Sequence, residues 1–243
     1  MARAHKEKKE KKATSIKERT HLAIGIPLAL LSGCLAFLAF PDFGIFPLGW
    51  VAFVPLLIAV RGRTFRGGFF LGFLTGFTTY TGGFHWISDL LREFGHMTPL
   101  PAYGITLLMT AYQGLMMAVA TGLAAHVTFR LRWPWFVVFP ILFTACEYLV
   151  PFLFPCYMAN AQQPFTAITQ IVDITGVSGL TFLLIVVNSA FAAIIHWRLA
   201  PGSVRFPVAA VGLAMLLFGA SLTYGVLRIN EIEASMAAAP HIR

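Results

Sequence analysis

The sequence predicts an all-α fold: a polytopic membrane helix bundle of about seven transmembrane helices with its amino terminus in the cytoplasm. Three observations predict it. Of the 243 residues, 58% are hydrophobic and 12% charged, against about 25% charged in a soluble domain. That leaves too little polar surface to cover a water-facing globule. The hydrophobic residues gather into long runs, and the basic residues between those runs are distributed one-sidedly.

A bilayer core about 30 Å thick takes roughly 20 apolar residues per helix. Seven runs qualify: residues 21–40, 46–60, 67–90, 101–129, 135–153, 168–197 and 206–227. The second is short. The sixth contains Asp173, so its apolar part is expected to begin near Gly176. With the amino terminus inside, eight basic residues of the first 19 positions lie on the inner side. Arg61, Arg63 and Arg66 join them, then Arg130 and Arg132, then Arg198 and Arg205. Fifteen of the 18 Lys and Arg residues are then inside, and only Arg92, Arg228 and Arg243 are outside. That is the positive-inside pattern. The resulting division is a disordered basic cytoplasmic tail over 1–20, a seven-helix transmembrane domain over 21–227, and a segment 228–243 on the outer, periplasmic side. That last segment reads as a tail or as a truncated linker to a missing domain.

The net charge of +8 does not indicate nucleic acid. The basic tail has no interleaved aromatic residue and nothing to pack, which suits contact with anionic headgroups of membrane phospholipid. Cys34, Cys146 and Cys156 are widely spaced and form neither a metal pattern nor a disulfide framework. Leu31-Ser32-Gly33-Cys34 imitates a lipoprotein cleavage site, but the apolar LAFLAF that follows is not a polar tether, and small residues on a packed helix explain it better.

Three further features point to sites. Gly68, Gly72 and Gly76 share one helix face and would let another helix approach closely. Glu147 lies inside the fifth run with no cation nearby in sequence, and an intramembrane acid is either functional or a structural hydrogen-bonding group. The outer loops are rich in aromatic residues and proline, Trp86 among them, as suits an interface or the rim of a lipid-accessible cleft. No HExxH, P-loop or dinucleotide fingerprint is present.

Several stretches in order resemble the amino-terminal membrane domain of bacterial apolipoprotein N-acyltransferase. They are LAFPDFGIFPLGWVAFVPLLIAV from Leu38, GFLTGFTTYTGGFHWI, FGHM, AYQGLMM, CEYL in place of a Glu-Trp-Leu segment, and QIVDITGVSGLTFLLIVVNSAF, which resembles the family's Gly-x-x-Gly-Leu stretch ending in Asn, here Asn188. The resemblance covers about 200 residues. It departs in the third outer loop, where the family has Phe-Pro-Trp and then Gly-Tyr-Ser-Gln. Here the loop has Phe154-Pro155-Cys156 and Asn160-Ala161-Gln162-Gln163, with Gln163 at the surviving final position.

The resemblance implies a multi-pass protein of the bacterial inner membrane that serves lipoprotein biosynthesis with a phospholipid acyl donor. It also implies a nitrilase-like catalytic partner with a Glu-Lys-Cys triad, and an apolipoprotein substrate. The sequence ends at AAAPHIR, about where the first strand of that catalytic domain is expected. Thioester chemistry needs an activated thiolate and a base. Every lysine lies between Lys6 and Lys17, on the inner side, whereas Cys156 is the one cysteine expected at the outer face. His85 and His96, with Asp89 or Glu93, are the remaining base candidates. The expectation is a membrane domain with no catalytic residue, cofactor or metal of its own. The alternative is a non-enzymatic scaffold or lipid or small-solute carrier derived from that domain. Its possible lipid or structural polar residues are Trp86, Glu147, Gln163 and Asn188.

Overall fold

A computed structural model describes residues 22–199 and 205–238. The basic tail expected over 1–20 lies outside the described residues. Every regular element among the described residues is helical. Helix α1 (Leu22–Leu38) is followed by a 3-10 turn, Phe46–Trp50, and the short α2 (Val54–Ala59). Then come α3 (Phe65–Gly83), α4 (Trp86–Glu93) and the long α5 (Pro99–Leu131). Helix α6 (Trp135–Leu149) leads through a second 3-10 turn, Met158–Gln162, to the four-residue α7 (Thr166–Thr169). Helices α8 (Val172–Leu199) and α9 (Val208–Ala238) follow.

Among the described residues, three helices can cross a membrane by length and composition: Pro99–Leu131, Val172–Leu199 and Val208–Ala237. Shorter apolar helices are Ala23–Leu38, Phe46–Ala59 and Trp135–Leu149. Each expected run carries helix, but the boundaries shift for identifiable reasons. The run 67–90 is broken, because α3 ends at Gly83 and α4 is a separate amphipathic helix. It buries Ile87 and Ser88 while Asp89, Arg92 and Glu93 face out. The run 46–60 divides around residues 51–53, with Pro47 and Pro55 each in the first turn of a helical piece, where the missing N–H costs nothing. Helix α6 stops at Leu149, since Val150 precedes Pro151 and takes the extended backbone that a following proline favours. Helix α9 continues beyond Leu227 through Arg228, which pairs with Glu231 one turn on at 2.8 Å.

The sixth run, expected to turn apolar only near Gly176, becomes helical earlier: α8 starts at Val172 and takes Asp173 into its first turn. Helix α8 is kinked at Gly176, whose φ of 68° lies in the left-handed region. Nothing would lie within 4 Å of a Cβ there, so the backbone conformation alone selects glycine.

The core gathers side chains from α1, α2, α3, α5 and α6, among them Phe53, Phe139, Phe143, Leu71 and Met117, all fully buried. Helix α3 makes its broadest contact with α5. A Cβ at Gly72 would lie 2.6 Å from the Met117 carbonyl oxygen, and one at Gly76 would lie 2.8 Å from that of Gly114. Sequence spacing alone identified this face. Helix α9 is peripheral: 22% of its apolar window is buried, against 61% for α5 and for α8.

Candidate functional site

A backbone amide or carbonyl that cannot reach water must be paired within the protein, and a helix broken at membrane depth exposes several at once. The break between the 3-10 turn Phe46–Trp50 and α2 is closed by side chains from three other segments. Asn188 of α8 is fully buried and makes three hydrogen bonds. Its Oδ1 accepts the Phe53 N–H at 2.8 Å, while its Nδ2 donates to the Gly49 carbonyl at 2.9 Å and the Leu184 carbonyl at 2.8 Å. The Ser32 hydroxyl of α1 donates to the Ala52 carbonyl. Gln162 Nε2 donates to the Phe46 carbonyl at 2.8 Å. A Cβ at Gly49 would sit 2.7 Å from that nitrogen, so the amide needs a glycine to reach past.

The segment 150–157 is held by the same logic. Tyr112 and Gln113 of α5 reach it from one side: the Tyr112 hydroxyl donates to the Pro151 carbonyl at 2.8 Å, and Gln113 Oε1 accepts the Phe154 N–H at 3.4 Å. From beneath, Glu147 Oε1 accepts the Met158 N–H at 2.8 Å. The Thr181 hydroxyl accepts the Ala159 N–H at 3.3 Å and faces the same carboxyl. Glu147 therefore caps the 3-10 turn Met158–Gln162, whose first N–H groups have no partner within the turn.

Trp86 and Glu147 meet at this loop. The half-exposed Trp86 ring lies edge-on to Phe154 at 6.3 Å and to Phe84 at 6.4 Å. Asn188 is at the helix break instead, and Gln163 is exposed. Its neighbour Gln162 occupies the interior. Sequence reasoning did not single out Gln162, Gln113 or Ser32. The available signal was an amide or hydroxyl inside an otherwise apolar run, as in AYQGLMM.

Cys156 lies in the same loop, and its thiol is pushed up to about 12. Burial is the larger cause, followed by the negative charges of Glu147 and Asp42. His85 directs Nδ1 to the Gly82 carbonyl at 2.9 Å. A thiol so placed stays protonated at neutral pH and is a poor nucleophile.

Beside these polar contacts runs an apolar groove of about 520 Å³ between α8 and α9. Phe46, Trp50, Phe165, Phe191, Met215 and Phe218 are among its walls, and no polar side chain lines it. Elsewhere α8 and α9 are joined by a polar contact: the Tyr224 hydroxyl donates to Asp173 at 2.8 Å and Arg228 pairs with the same carboxylate at 3.2 Å.

Long apolar helices, a broken helix closed by buried polar side chains, and a wholly apolar lateral groove define the class: an all-helical membrane protein. The chain belongs to the apolipoprotein N-acyltransferase N-terminal domain family, whose model matches residues 32–190. It is 34% identical over 210 residues to the apolipoprotein N-acyltransferase of Geobacter metallireducens, covering 85% of this chain and 40% of that protein. It is 30% identical over 200 residues to that of Thermotoga maritima, covering 76% and 38% respectively. With the Rhizobium rhizogenes enzyme it shares 27% over 221 residues, 84% of this chain and 39% of the relative. The chain thus spans about two fifths of the length of the curated relatives it matches.

Proposed function

We propose that the chain is the membrane-embedded part of a lipoprotein N-acylation system in the bacterial inner membrane. In this reading it seats an acyl chain of a membrane phospholipid in the groove between α8 and α9 and carries a nitrilase-like catalytic domain at the outer surface. The groove is the observation that carries the proposal. An acyl chain has no polar group to satisfy, and the groove offers none. Seven crossings accompany it: α1, the 3-10 turn with α2, α3, α5, α6, α8 and α9, with the amino terminus cytoplasmic. The 3-10 turn and α2 act as one crossing because Asn188, Ser32 and Gln162 satisfy the backbone between and around them.

The chain does not perform the acyl transfer alone. Taking an acyl group as a thioester needs a thiolate, and the Cys156 thiol holds its proton to about 12. Expression in cells depleted of apolipoprotein N-acyltransferase tests the proposal. Growth is expected when the chain is supplied together with a nitrilase-like domain, and not when it is supplied alone. Rescue by the chain alone, or failure of every such pairing, overturns it.

A further inference from the structure

At the end of the bundle opposite the Glu147 loop, the helices enclose a second cavity, of about 370 Å³. It lies between the ends of α2, α5 and α8, the start of α6 and the approach to α9. Its polar lining consists of Arg61, Thr128, Ser189 and His196. Ser189 is 4% exposed, and its Oγ has no hydrogen-bond partner in the protein; the same holds for the buried Oγ1 of Thr128. Orphaned buried hydroxyls are costly, and two that line one cavity have their partner in whatever occupies it. The first turn of α6, at the rim, has no side-chain cap, so its leading N–H groups are also available to an acceptor.

Among the described residues the surrounding charge has one sign. Arg61, Arg63, Arg66, Arg130, Arg132, Arg198 and Arg205 flank this end. Arg63 is engaged with the Ala59 carbonyl at 2.8 Å. Arg61 and His196 each also hold a further contact. The acids among the described residues fall elsewhere. Asp42, Asp89, Glu93, Glu147 and Asp173 sit in connections or helix ends at the opposite end, and Glu231 and Glu233 sit at the far end of α9.

We propose that this cavity binds the phosphate of an anionic phospholipid headgroup, with Arg61, Ser189, Thr128 and His196 around the phosphate oxygens. Guanidinium and hydroxyl groups are the donors that phosphate oxygens take, and basic pockets between helices are suited to lipid headgroups. Nine of the thirteen lining residues are apolar, Leu57, Ile58, Trp135 and Phe136 among them. A free phosphate would leave that wall uncovered, whereas the glycerol and first methylenes of a lipid cover it. The site is distinct from the α8–α9 groove. It rests on the membrane reading above only for its leaflet, which is the inner one.

Native mass spectrometry of the purified full chain in detergent tests it, with phosphatidylglycerol, phosphatidylcholine of the same acyl chains, and inorganic phosphate as probes. Phosphatidylglycerol is expected to bind at least tenfold more tightly than phosphatidylcholine. Arg61→Ala and Ser189→Val are each expected to weaken it about tenfold or more, a loss of roughly one charge-assisted contact. Arg66→Ala, an exposed arginine outside the cavity, is expected to change it less than twofold. Circular dichroism and size exclusion verify that each variant is folded, and phosphatidylglycerol protection of Thr128→Cys from alkylation gives a second measure of occupancy. Equal binding of the two lipids overturns the proposal. So does a loss with Arg66→Ala matching that with Arg61→Ala, or displacement of the lipid by inorganic phosphate at millimolar concentration. Detergent binding carries no leaflet and involves no acyl transfer. A failed complementation with intact binding would therefore sink the proposed function alone, and the reverse outcome would sink this site alone.

Discussion

Glu147 and Asn188 remain in an apolar interior because each satisfies main-chain groups that no helix can. Glu147→Leu strands the Met158 N–H, so a loss of about 1–3 kcal/mol is expected. Glu147→Gln keeps an acceptor and should lose less than half of that, as read by thermal unfolding in detergent. Equal losses would mean that the charge matters and the capping contact does not. Asn188→Leu strands both the Phe53 N–H and the Gly49 carbonyl, and a larger loss than for Glu147→Leu is expected in the same assay. Cys156 gives a pH prediction at this scale. Its folded-state pKa is raised from 9.0 to about 12, so the fold holds a proton that the unfolded chain releases above pH 9. The associated stability is complete below pH 9 and is lost as pH rises toward 12. Maleimide labelling of Cys156 at pH 8 should be slow in the folded chain and fast after denaturation. Rapid labelling of the folded chain would contradict the half-buried, proton-retaining thiol.

Among the elements, α3 and α9 differ in how a methyl group would be received. Gly72→Ala places a Cβ within 2.6–2.8 Å of the Met117 carbonyl and the Thr121 side chain, and overpacking of this kind costs about 1–3 kcal/mol. Gly212 and Gly219 of α9 have nothing within 4 Å of a Cβ. Alanine at either is expected to be neutral or stabilising by up to about 1 kcal/mol, with both series read by unfolding in detergent. The Gly68-Gly72-Gly76 face was legible in sequence because helical period alone places three small residues in one row. The kink at Gly176 was not legible: Asp173 marked where apolar character begins, but a left-handed glycine inside a continuous helix leaves no compositional trace. Glu147 and Asn188 stood out as polar residues in apolar runs, but their partners did not. The Phe53 and Met158 amides lie 135 and 11 residues away, and nothing local marks a main-chain group as needing an outside partner. Gln163 was named because it holds the last position of the family's loop pattern, yet Gln162 is the one inside. Two adjacent glutamines at the end of a 3-10 turn are told apart only by which of them faces the Phe46 carbonyl.

For the whole molecule, the decisive quantity is the parity of the crossings. Three helices are long enough by composition alone, and the proposed count of seven adds four segments that are shorter or rich in glycine. Both counts are odd, so parity alone places the two ends of the chain on opposite sides, and the count must be tested at intermediate points. The basic residues at the α2–α3, α5–α6 and α8–α9 connections fix the expected side of each. Single cysteines in a background with Cys34, Cys146 and Cys156 replaced by alanine report it, using a membrane-impermeant maleimide on cells with a permeabilised outer membrane. Glu93→Cys in α4 and Glu231→Cys in α9, both exposed, are expected to label in intact cells. Arg66→Cys and Arg132→Cys, also exposed, are expected to label only after the inner membrane is opened. Labelling of Arg66→Cys in intact cells would remove the crossing made by the 3-10 turn and α2, or else invert the bundle. Asp42→Cys, exposed in the connection after α1, distinguishes these cases: it labels in intact cells if that crossing is lost and is protected if the bundle is inverted, whereas Glu93→Cys is protected in both. Retention of the full pattern would place the headgroup cavity on the inner leaflet and the Glu147 loop on the outer face.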